Sequence, residues 1–558
     1  MTAEAEDAMT TTDADARKND AGVNDDMNEA DVFECVADKQ PDSPCVSFDG
    51  EVFTYREFDD YANRFAHALR GQGVRAGDHV ALVMRNVPEH LGSMLGLMKI
   101  SAAAVNTNFM YTGVETANIL VDSRSVGVVV ESEFADTVAE AIGSAPELRF
   151  VVAVGEPGEA LEAAAEQAGV ALVDSAEILA AASSQRPENT RSGDDKWILY
   201  TGGTTGHPKG VVWRAADYYY ACLSGGNPYG EPRNSPQEVA DNTFEGFRAF
   251  VAAPLMHGAG MFTFFTFLNL GAYVALQRTF DPERILRATA EEKAAVLVVV
   301  GDGMGVPIAD KLREMTAAGE APDLSGLFMI SSGGGIWSAA NQAAFKELLP
   351  NVGFRDNVGA SESGNDGEMT FDEAGRLKLD AGRGILVVDL DLEPMEPGTG
   401  EIGYIVRTGH LPLEYLGDPD KSAQTFIEIG GRRASLLGDM GLLEADGSIT
   451  FLGRGSGCIN TGGEKVFPEE VESTLKLHPA VFDALVFGAP DPRFGESVAA
   501  VVSVREGFEE PGVEELREHV RGHLAGYKAP RHVIFVEQVK RSPAGKADYR
   551  WAKSQIEE

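Results

Sequence analysis

One glycine- and threonine-rich stretch, "YTGGTTGHPKG" at residues 200–210, could carry out chemistry on a phosphate group. Glycine backbone N–H groups, threonine hydroxyls and a lysine together suit an anion, above all a phosphate. A P-loop needs its lysine directly after a glycine, but here Pro208 precedes Lys209. The stretch therefore predicts a phosphate site in a different type of nucleotide-using protein.

Six further stretches follow in a fixed order: "PLMHGAG" with His257, "SSGGG" from Ser331, "DNVGASE" over 356–362, "LLGD" ending at Asp439, "GRGSGCINTGGEKV" from Gly453, and "KRSPAGK" ending at Lys546. In this order the set resembles the adenylate-forming superfamily: acyl- and aryl-CoA synthetases, luciferases and peptide-synthetase adenylation domains. The resemblance covers about residues 45–555 and is nearest to bacterial long-chain and steroid-side-chain acyl-CoA synthetases.

The resemblance implies a two-step reaction. A carboxylate attacks the α-phosphate of ATP, giving an acyl adenylate and pyrophosphate, and the thiol of coenzyme A then displaces AMP. The first step brings two anions together, and unit charges ~4 Å apart repel by roughly 4 kcal/mol at an effective dielectric constant of about 20. Cationic groups and amide donors must offset this repulsion, so ATP, Mg²⁺ and coenzyme A are the expected cofactors and substrates.

The resemblance also implies residue roles. Lys546 should reach the reacting carboxylate and the α-phosphate, Glu362 should be a Mg²⁺ ligand helped by Thr204, and His257 should position the acid. The phosphate loop comprises Thr201, Gly202, Gly203, Thr204, Thr205, Gly206 and Lys209.

The resemblance also implies which residues bind the adenine base and the ribose of ATP. Asp439 should accept both ribose hydroxyls, and Val358 stands where the family commonly has an aromatic residue against adenine. The adenine and ribose set is Ser332, Gly333, Gly334, Asp356, Asn357, Val358, Gly359, Ser361, Asp439 and Arg454.

Three remaining sets complete the expected site. Gly463 and Lys465 should contact coenzyme A, and Ser456 matches the hinge about which the small domain of these enzymes rotates. The acyl pocket is predicted to include Met261, Phe262, Phe265 and Gly303. No basic anchor for a second carboxylate is evident, which favours a hydrophobic monocarboxylic acid such as a fatty acid or a steroid side-chain acid.

These residues need a scaffold, and strands alternating with helices from Phe53 onward predict an α/β protein with largely parallel sheets. "PEHLGSMLGLMKISAAAV", residues 88–105, is predicted to be helical throughout. "MFTFFTFLNLGAYVAL", residues 261–276, is predicted to be a buried helix and strand divided at Gly271, because it is shorter than the ~20 residues of a membrane span.

The predicted domains are a disordered acidic tail over 1–31, a large ATP- and acyl-binding domain over 32–453, a hinge over 454–457 and a small mobile α+β domain over 458–558. The large domain should hold parallel-rich sheets flanked by helices, plus a β-rich subdomain from about Gly382 to Gly453.

Composition limits the partners. The chain has 558 residues and a formal net charge of −40, which disfavours nucleic acid and anionic lipid. Four scattered cysteines and no Cys/His metal motif favour a reducing, cytoplasmic location.

A homodimer is one open alternative for the assembly. Two other functions also stay open: an acyl-AMP ligase that supplies a carrier protein, and a catalytically decayed nucleotide-binding homologue.

Overall fold

The structure is a computed structural model. It describes residues 23–201, 208–335, 337–372, 376–382, 384–454, 457–461, 464–491, 495–541 and 547–556, with only the backbone of residues 454, 460, 464, 465 and 495. The helices are α1 Glu29–Lys39, α2 Tyr55–Gly71, α3 Pro88–Lys99, α4 Gly113–Asp122, α5 Ala135–Ile142, α6 Gly158–Ala168, α7 Ser175–Ala181, α8 Ala215–Cys222, α9 Pro236–Asp241, α10 Gly258–Asn269, α11 Pro282–Glu291, α12 Gly301–Ala318, α13 Ala339–Leu348, α14 Pro419–Thr425, α15 Pro468–Lys476, α16 Val513–Arg521 and α17 Tyr549–Ser554.

The first half of the chain supplies strands β1 Pro44–Phe48, β2 Glu51–Thr54, β3 His79–Val83, β4 Ala103–Asn106, β5 Gly127–Glu131, β6 Phe150–Val154, β7 Ala171–Asp174, β8 Lys196–Thr201, β9 Lys209–Arg214, β10 Arg248–Val251, β11 Tyr273–Leu276 and β12 Val296–Val299. The second half supplies β13 Met329–Gly333, β14 Gly353–Ala360, β15 Gly364–Phe371, β16 Leu377–Ala381, β17 Ile385–Val388, β18 Ile402–Thr408, β19 Glu414–Tyr415, β20 Phe426–Ile429, β21 Arg432–Leu443, β22 Ile449–Arg454, β23 Ile459–Thr461, β24 Glu464–Val466, β25 Val481–Asp491, β26 Gly495–Val504 and β27 His532–Val536.

Two large sheets build the first domain. One has the order β19-β9-β8-β4-β3-β5-β6-β7, and the other the order β17-β18-β21-β22-β16-β15-β14-β13-β12-β10-β11-β1-β2 with β20 beside β21. Pairing is parallel from β4 to β7 through β3 and β5, and from β1 to β14 through β11, β10, β12 and β13. Beyond β14 the second sheet is antiparallel. The predicted α/β class and the β-rich part of the large domain are thus confirmed.

The helices between the strands carry the sequence signals expected of them. Thr54 and Thr112 begin α2 and α4, each in a capping box with the glutamate three residues later. Pro88 stands in the first turn of α3, where its missing N–H removes no helical hydrogen bond.

Two sequence predictions are wrong at their ends. Helix α3 ends at Lys99, and residues 103–106 form the buried parallel strand β4 instead of continuing the helix.

Helix α1 begins at Glu29, with Met27, Asn28 and Ala30 also buried. The tail is therefore not disordered as far as residue 31, because this segment buries apolar surface against the core.

The apolar stretch over 261–276 is confirmed as a helix followed by a strand. Helix α10 ends at Asn269, Gly271 turns the chain with a φ of 73°, and β11 follows in a fully buried position. Among the residues described, no helix combines the length and the apolar character needed to cross a bilayer.

The last domain is a small α+β unit. Its sheet has the order β24-β23-β26-β25, with β27 parallel to β26, and α15, α16 and α17 pack on it. The Nζ atom of Lys476, on α15, lies 3.1 Å from Asp483 within this domain and 3.5 Å from Asp302 of the large domain. The buried Lys476 side chain thus joins the two domains.

Candidate functional site

The predicted phosphate loop connects β8 and β9, which are adjacent strands. Strands β8 and β9 are antiparallel, and Thr201 is directly opposite Lys209, so the loop leaves and re-enters the sheet at neighbouring positions. Residues 202–207, which include the predicted Gly202, Gly203, Thr204, Thr205 and Gly206, lie outside the described residues. At the base of the loop, Tyr200 donates a 2.5 Å hydrogen bond to Asp122.

Lys209 is held by an acidic helix cap. Its Nζ donates to Asp418 Oδ2 at 2.8 Å, and Asp418 also accepts the backbone N–H of Lys421 as the N-cap of α14. The hydrogen bond from Lys209 is the main cause of the lowered pKa of Asp418. Lys209 therefore has a fixed direction at the edge of the predicted loop.

Tyr415 joins this lysine to the predicted magnesium ligand. Its hydroxyl donates to Glu362 Oε1 at 2.9 Å, and Lys209 Nζ lies 5.3 Å from the centre of its ring. Glu362 follows β14 in the turn before β15, where Trp213 Nε1 donates to the carbonyl oxygen of Ser361 at 2.9 Å. Strand β19 places Tyr415 beside β9. The structure thus assembles a cation and a carboxylate on either side of one tyrosine.

The predicted adenine residues come together at the carboxyl ends of two parallel strands. Ser332 is level with Asp356, and Gly333 with Asn357. The Asn357 amide donates to Ser331 Oγ at 2.9 Å and to the Ser332 carbonyl at 3.1 Å. Burial raises the pKa of Asp356 to about 8, although hydrogen bonds from Ser332 and the backbone of Trp337 oppose that shift.

The residues around the predicted adenine set differ in burial and in hydrogen bonding. Val358 is half-buried and packs against the apolar cluster of the antiparallel region, and the strand bulges between Val358 and Gly359. Ser332 Oγ also accepts the N–H of Gly301, which begins α12. Exposed Gly303 lies one residue beyond Asp302, whose side chain accepts the N–H and the hydroxyl of Ser338.

His257 lies at the start of α10, close to the glycine turn of the predicted adenine set. It is the half-buried N-cap residue of α10. A β-carbon on Gly334, whose φ is 78°, would lie only 2.9 Å from Ala259 Cβ, so the glycine turn and the start of α10 are in close contact. Phe262 is half-buried on the same helix, whereas Met261 and Phe265 are fully buried in the main core. Of the three predicted pocket residues on α10, Phe262 is therefore the accessible one.

Asp439 and Arg454 are brought together by strand pairing. They are directly opposite on β21 and β22. Buried Arg407 forms an ion pair with half-buried Asp366 at 3.2 Å. Desolvation is the main cause of the raised pKa of Asp366, and the negative charge of Asp439 contributes to it. The side chain of Arg454 lies outside the described residues.

The strand before the predicted hinge requires a glycine. Gly453 has a φ of 105°, and a β-carbon there would lie 2.1 Å from the carboxylate of Glu469 on α15. Any side chain at this position would strain the backbone, and the Glu469 carboxylate would have to move aside. Ser456 and Gly463 lie outside the described residues, and for Lys465 only the backbone, level with Asn460, is described.

Lys546 also lies outside the described residues, but the base of its loop is fixed. A β-bridge joins Arg541 to Ala547 on either side of the loop. Arg541 binds Asp483 through hydrogen bonds of 2.7 and 2.8 Å. The loop is therefore attached to the same Asp483 that contacts Lys476.

Sequence reasoning missed four residues of this site: Tyr415, Asp418, Trp213 and Arg407. Each acts through a partner distant in sequence, and only "GDPDKS" at 417–422, with an aspartate before a proline, carried a local signal for a helix cap. Among the described residues, no group of three or more His, Cys, Asp and Glu side chains could hold a metal ion. The Glu362 carboxylate offers a hard oxygen of the kind that Mg²⁺ binds, and the second predicted ligand, Thr204, lies outside the described residues.

Known proteins resemble the chain over nearly its full length. The family described as AMP-binding enzyme matches residues 33–411, and the AMP-binding enzyme C-terminal domain matches residues 470–546. A 3-oxocholest-4-en-26-oate–CoA ligase of Rhodococcus rhodochrous is 41% identical over 541 residues, which cover 95% of this chain and 96% of that protein.

Two further comparisons agree. A medium/long-chain-fatty-acid–CoA/3-oxocholest-4-en-26-oate–CoA ligase of Mycolicibacterium smegmatis is 40% identical over 540 residues, covering 95% of this chain and 97% of that protein. The crystal structure of the anthranilate CoA ligase AuaEII in complex with anthranoyl-AMP shares the fold, with a TM-score of 0.80, 24% identity, and coverage of 95% of this chain and 97% of that one. The chain belongs to the AMP-binding enzyme family, and so to the adenylate-forming superfamily that its motifs resemble.

Proposed function

We propose that the chain is an ATP-dependent acyl-CoA ligase acting on hydrophobic carboxylic acids, with sterol side-chain acids and medium- to long-chain fatty acids as the substrate classes. The observation that carries the proposal is the convergence of Lys209 and Glu362 on Tyr415 beside the phosphate loop. The names of the two relatives support the class of acid.

In this proposal the chain's residues handle charge in the first step. Lys209 neutralises the outer phosphates of ATP, and its ion pair with Asp418 keeps it at the loop while leaving two further ammonium donors. Lys546 stabilises the charge that develops between the acid and the α-phosphate. Magnesium, when bound to Glu362 and ATP, supplies further positive charge. Tyr415 fixes one oxygen of Glu362, so the other is free to face the ligand.

The remaining roles follow from position. Asp439 accepts the ribose hydroxyls, while Ser332, Asp356 and Asn357 form one side of the adenine site. His257 holds the carboxylate where the start of α10 meets the glycine turn. The proposed small domain, beyond a hinge at 454–457, brings Gly463 and Lys465 to coenzyme A for the second step. The cytoplasmic location and the homodimer stay predictions.

The test is pyrophosphate release with ATP, Mg²⁺ and a panel of acids, each with and without coenzyme A. Lys546→Ala should lower kcat by at least about a hundredfold, because loss of one preorganised transition-state partner typically costs that much. Lys553→Ala, an exposed lysine of α17, is the matched control. Adenylate formation that never consumes coenzyme A would support an acyl-AMP ligase instead, and ATP binding without turnover would support a decayed homologue.

A further inference from the structure

Three buried polar atoms on and around Glu29 lack partners among the residues described. Glu29 Oε1, Asn269 Oδ1 and Tyr218 Oη have no hydrogen-bond partner in the described part of the chain. Leaving such a group unsatisfied is costly, and native structures rarely do so without a water or a ligand. These atoms therefore indicate a missing partner.

A small cavity adjoins two of the three residues. Glu29 and Tyr218 both line it, together with Trp197, and its volume of ≈ 10 Å³ is that of a single water-sized group. The space accommodates one oxygen atom of a ligand, or one water molecule. The cavity thus has the size of a functional group and not of a whole substrate.

Helix α10 leads from the predicted carboxylate position to this cluster. Most of the helix is buried, but Ala259, Phe262, Thr263 and Thr266 are only half-buried, at spacings that form one stripe along the helix. The twelve-residue rise from His257 to Asn269 is about 18 Å. Tyr218 meets the same helix at Phe262, between these two ends.

Aromatic rings connect the stripe to the cluster. The ring of Phe262 meets that of Tyr218 edge-on with centroids 5.5 Å apart, and Tyr218 stacks on Trp197 at 4.2 Å. Flat apolar surfaces of this kind suit fused rings as well as an extended chain. Tyr218 is therefore the polar group at the end of an aromatic wall.

One hydrogen-bond donor of this cluster, the Tyr218 hydroxyl, has no acceptor among the residues described. Asn269 Nδ2 donates to Glu29 Oε2 at 3.2 Å, and burial raises the pKa of Glu29 well above its usual value. A neutral Glu29 can return a hydrogen bond to the amide oxygen of Asn269. Burial also raises the pKa of Tyr218, so its hydroxyl keeps its proton. A ketone oxygen, which only accepts, matches that remaining O–H donor.

We infer that the Tyr218 hydroxyl donates a hydrogen bond to an oxo group at the end of the acid farthest from its carboxylate, making Tyr218 a specificity-determining residue for oxo-bearing polycyclic acids. This inference rests on the proposed function, because it concerns the distal end of the same acyl site.

The test compares three acids: 3-oxocholest-4-en-26-oate, the same sterol acid without its C3 oxygen, and hexadecanoate. Tyr218→Phe should lower kcat/KM for the oxo acid by about tenfold, the usual loss for one hydrogen bond, and change the other two by less than about twofold. Tyr219→Phe is the matched control, since its hydroxyl already donates to the Arg233 carbonyl at 3.0 Å, and it should affect all three acids equally.

Several results would overturn the inference. An equal loss on all three acids would make Tyr218 structural, and no loss on the oxo acid would mean that the cavity holds only water. The ratio between the oxo acid and its deoxo analogue in the wild type should exceed about fivefold, which tests the inference even if the variant does not fold. A wild type that turns over none of the acids contradicts the proposed function, and equilibrium binding of the same acids then decides the role of Tyr218.

Discussion

Two glutamates five residues apart on α1 have opposite surroundings. Glu34 accepts hydrogen bonds from Lys99 at 2.5 Å and Arg191 at 2.6 Å, and although burial acts to raise its pKa, these cations hold it below the usual value. Glu29, fully buried beside an amide, has its pKa raised by burial. The charged form of the same residue type is thus favoured by cations in one place on the helix and disfavoured by burial in the other.

The hydrogen-bond partners of each glutamate distinguish groups that stabilise the fold from groups that could bind a ligand. Around Glu34 the charges satisfy one another: Lys99 also binds Asp59 at 2.7 Å, and Asp59 binds Arg186 at 2.9 Å. Around Glu29 three polar atoms remain unpartnered among the residues described. The network around Glu34 is complete, whereas near Glu29 the Tyr218 hydroxyl still has no acceptor among the residues described.

Breaking the closed network should have the largest effect. Lys99→Met should lower the free energy of unfolding by about 3–5 kcal/mol, because it leaves buried carboxylates without a cation. The denaturant midpoint measures this loss. Lys39→Met, which removes an exposed ion pair with Asp241, is the control and should cost less than about 1 kcal/mol. A similar small loss for both variants would mean that the Lys99 network contributes little.

The pH dependence should differ in sign between the two glutamates. Glu34 has a lowered folded pKa, so the advantage of wild type over Glu34→Gln should be present above the usual value of 4.5 and be lost as pH falls below it. Glu29 has a raised pKa, so wild type should lose stability relative to Glu29→Gln as pH rises above 4.5. Slopes can reach about 1.4 kcal/mol per pH unit, and denaturation at pH 3 to 8 measures them. Slopes of the same sign would refute the contrast.

Removing the hydroxyl groups of Tyr218 and Tyr219 in turn should show which of them has a hydrogen-bond partner in the folded protein. Tyr218→Phe deletes an unpartnered buried hydroxyl and should leave the unfolding free energy unchanged or higher. Tyr219→Phe leaves the Arg233 carbonyl without its donor and should lower the free energy of unfolding by about 1 kcal/mol. Thermal unfolding without ligand measures both changes. A clear loss for Tyr218→Phe alone would show that its hydroxyl already has a partner in the free protein.

Salt should have the smallest effect on the buried network. The difference between wild type and Lys99→Met should change by less than about 0.5 kcal/mol between 0.1 and 1 M KCl, since buried pairs are screened weakly. Overall stability should rise with KCl, because the net charge of −40 repels itself across the surface. A melting temperature unchanged by KCl would contradict this second expectation.

The sequence predicted the fold best where apolar runs were unambiguous. "KWILYT" and "VLVV" are β-branched or aromatic runs next to glycines, and both are strands in the structure. The helix predicted over residues 88–105 failed at "SAAAV" because alanine favours a helix, and the periodicity of a short apolar run cannot distinguish a buried strand from a buried helix. There Ser101, with a φ of 56°, turns the chain into β4.

The site was predictable in its motifs and unpredictable in its contacts. Ser332 and Asp356 belong to recognisable stretches, and strand register then places them side by side. The hydrogen bond from Tyr415 to Glu362 joins residues 53 positions apart, and no local pattern encodes it. The motifs therefore supply the predicted site residues, whereas the tertiary structure determines how those that it describes are held.

The short interval from Tyr415 to Asp418 has an evolutionary consequence. It carries the partner of Glu362 at one end and the partner of Lys209 at the other, with β19 fixing one end and α14 the other. A single inserted or deleted residue here would misplace one of the two partners. When sequences of this family are aligned, gaps should avoid this interval and fall instead in exposed turns such as residues 396–401.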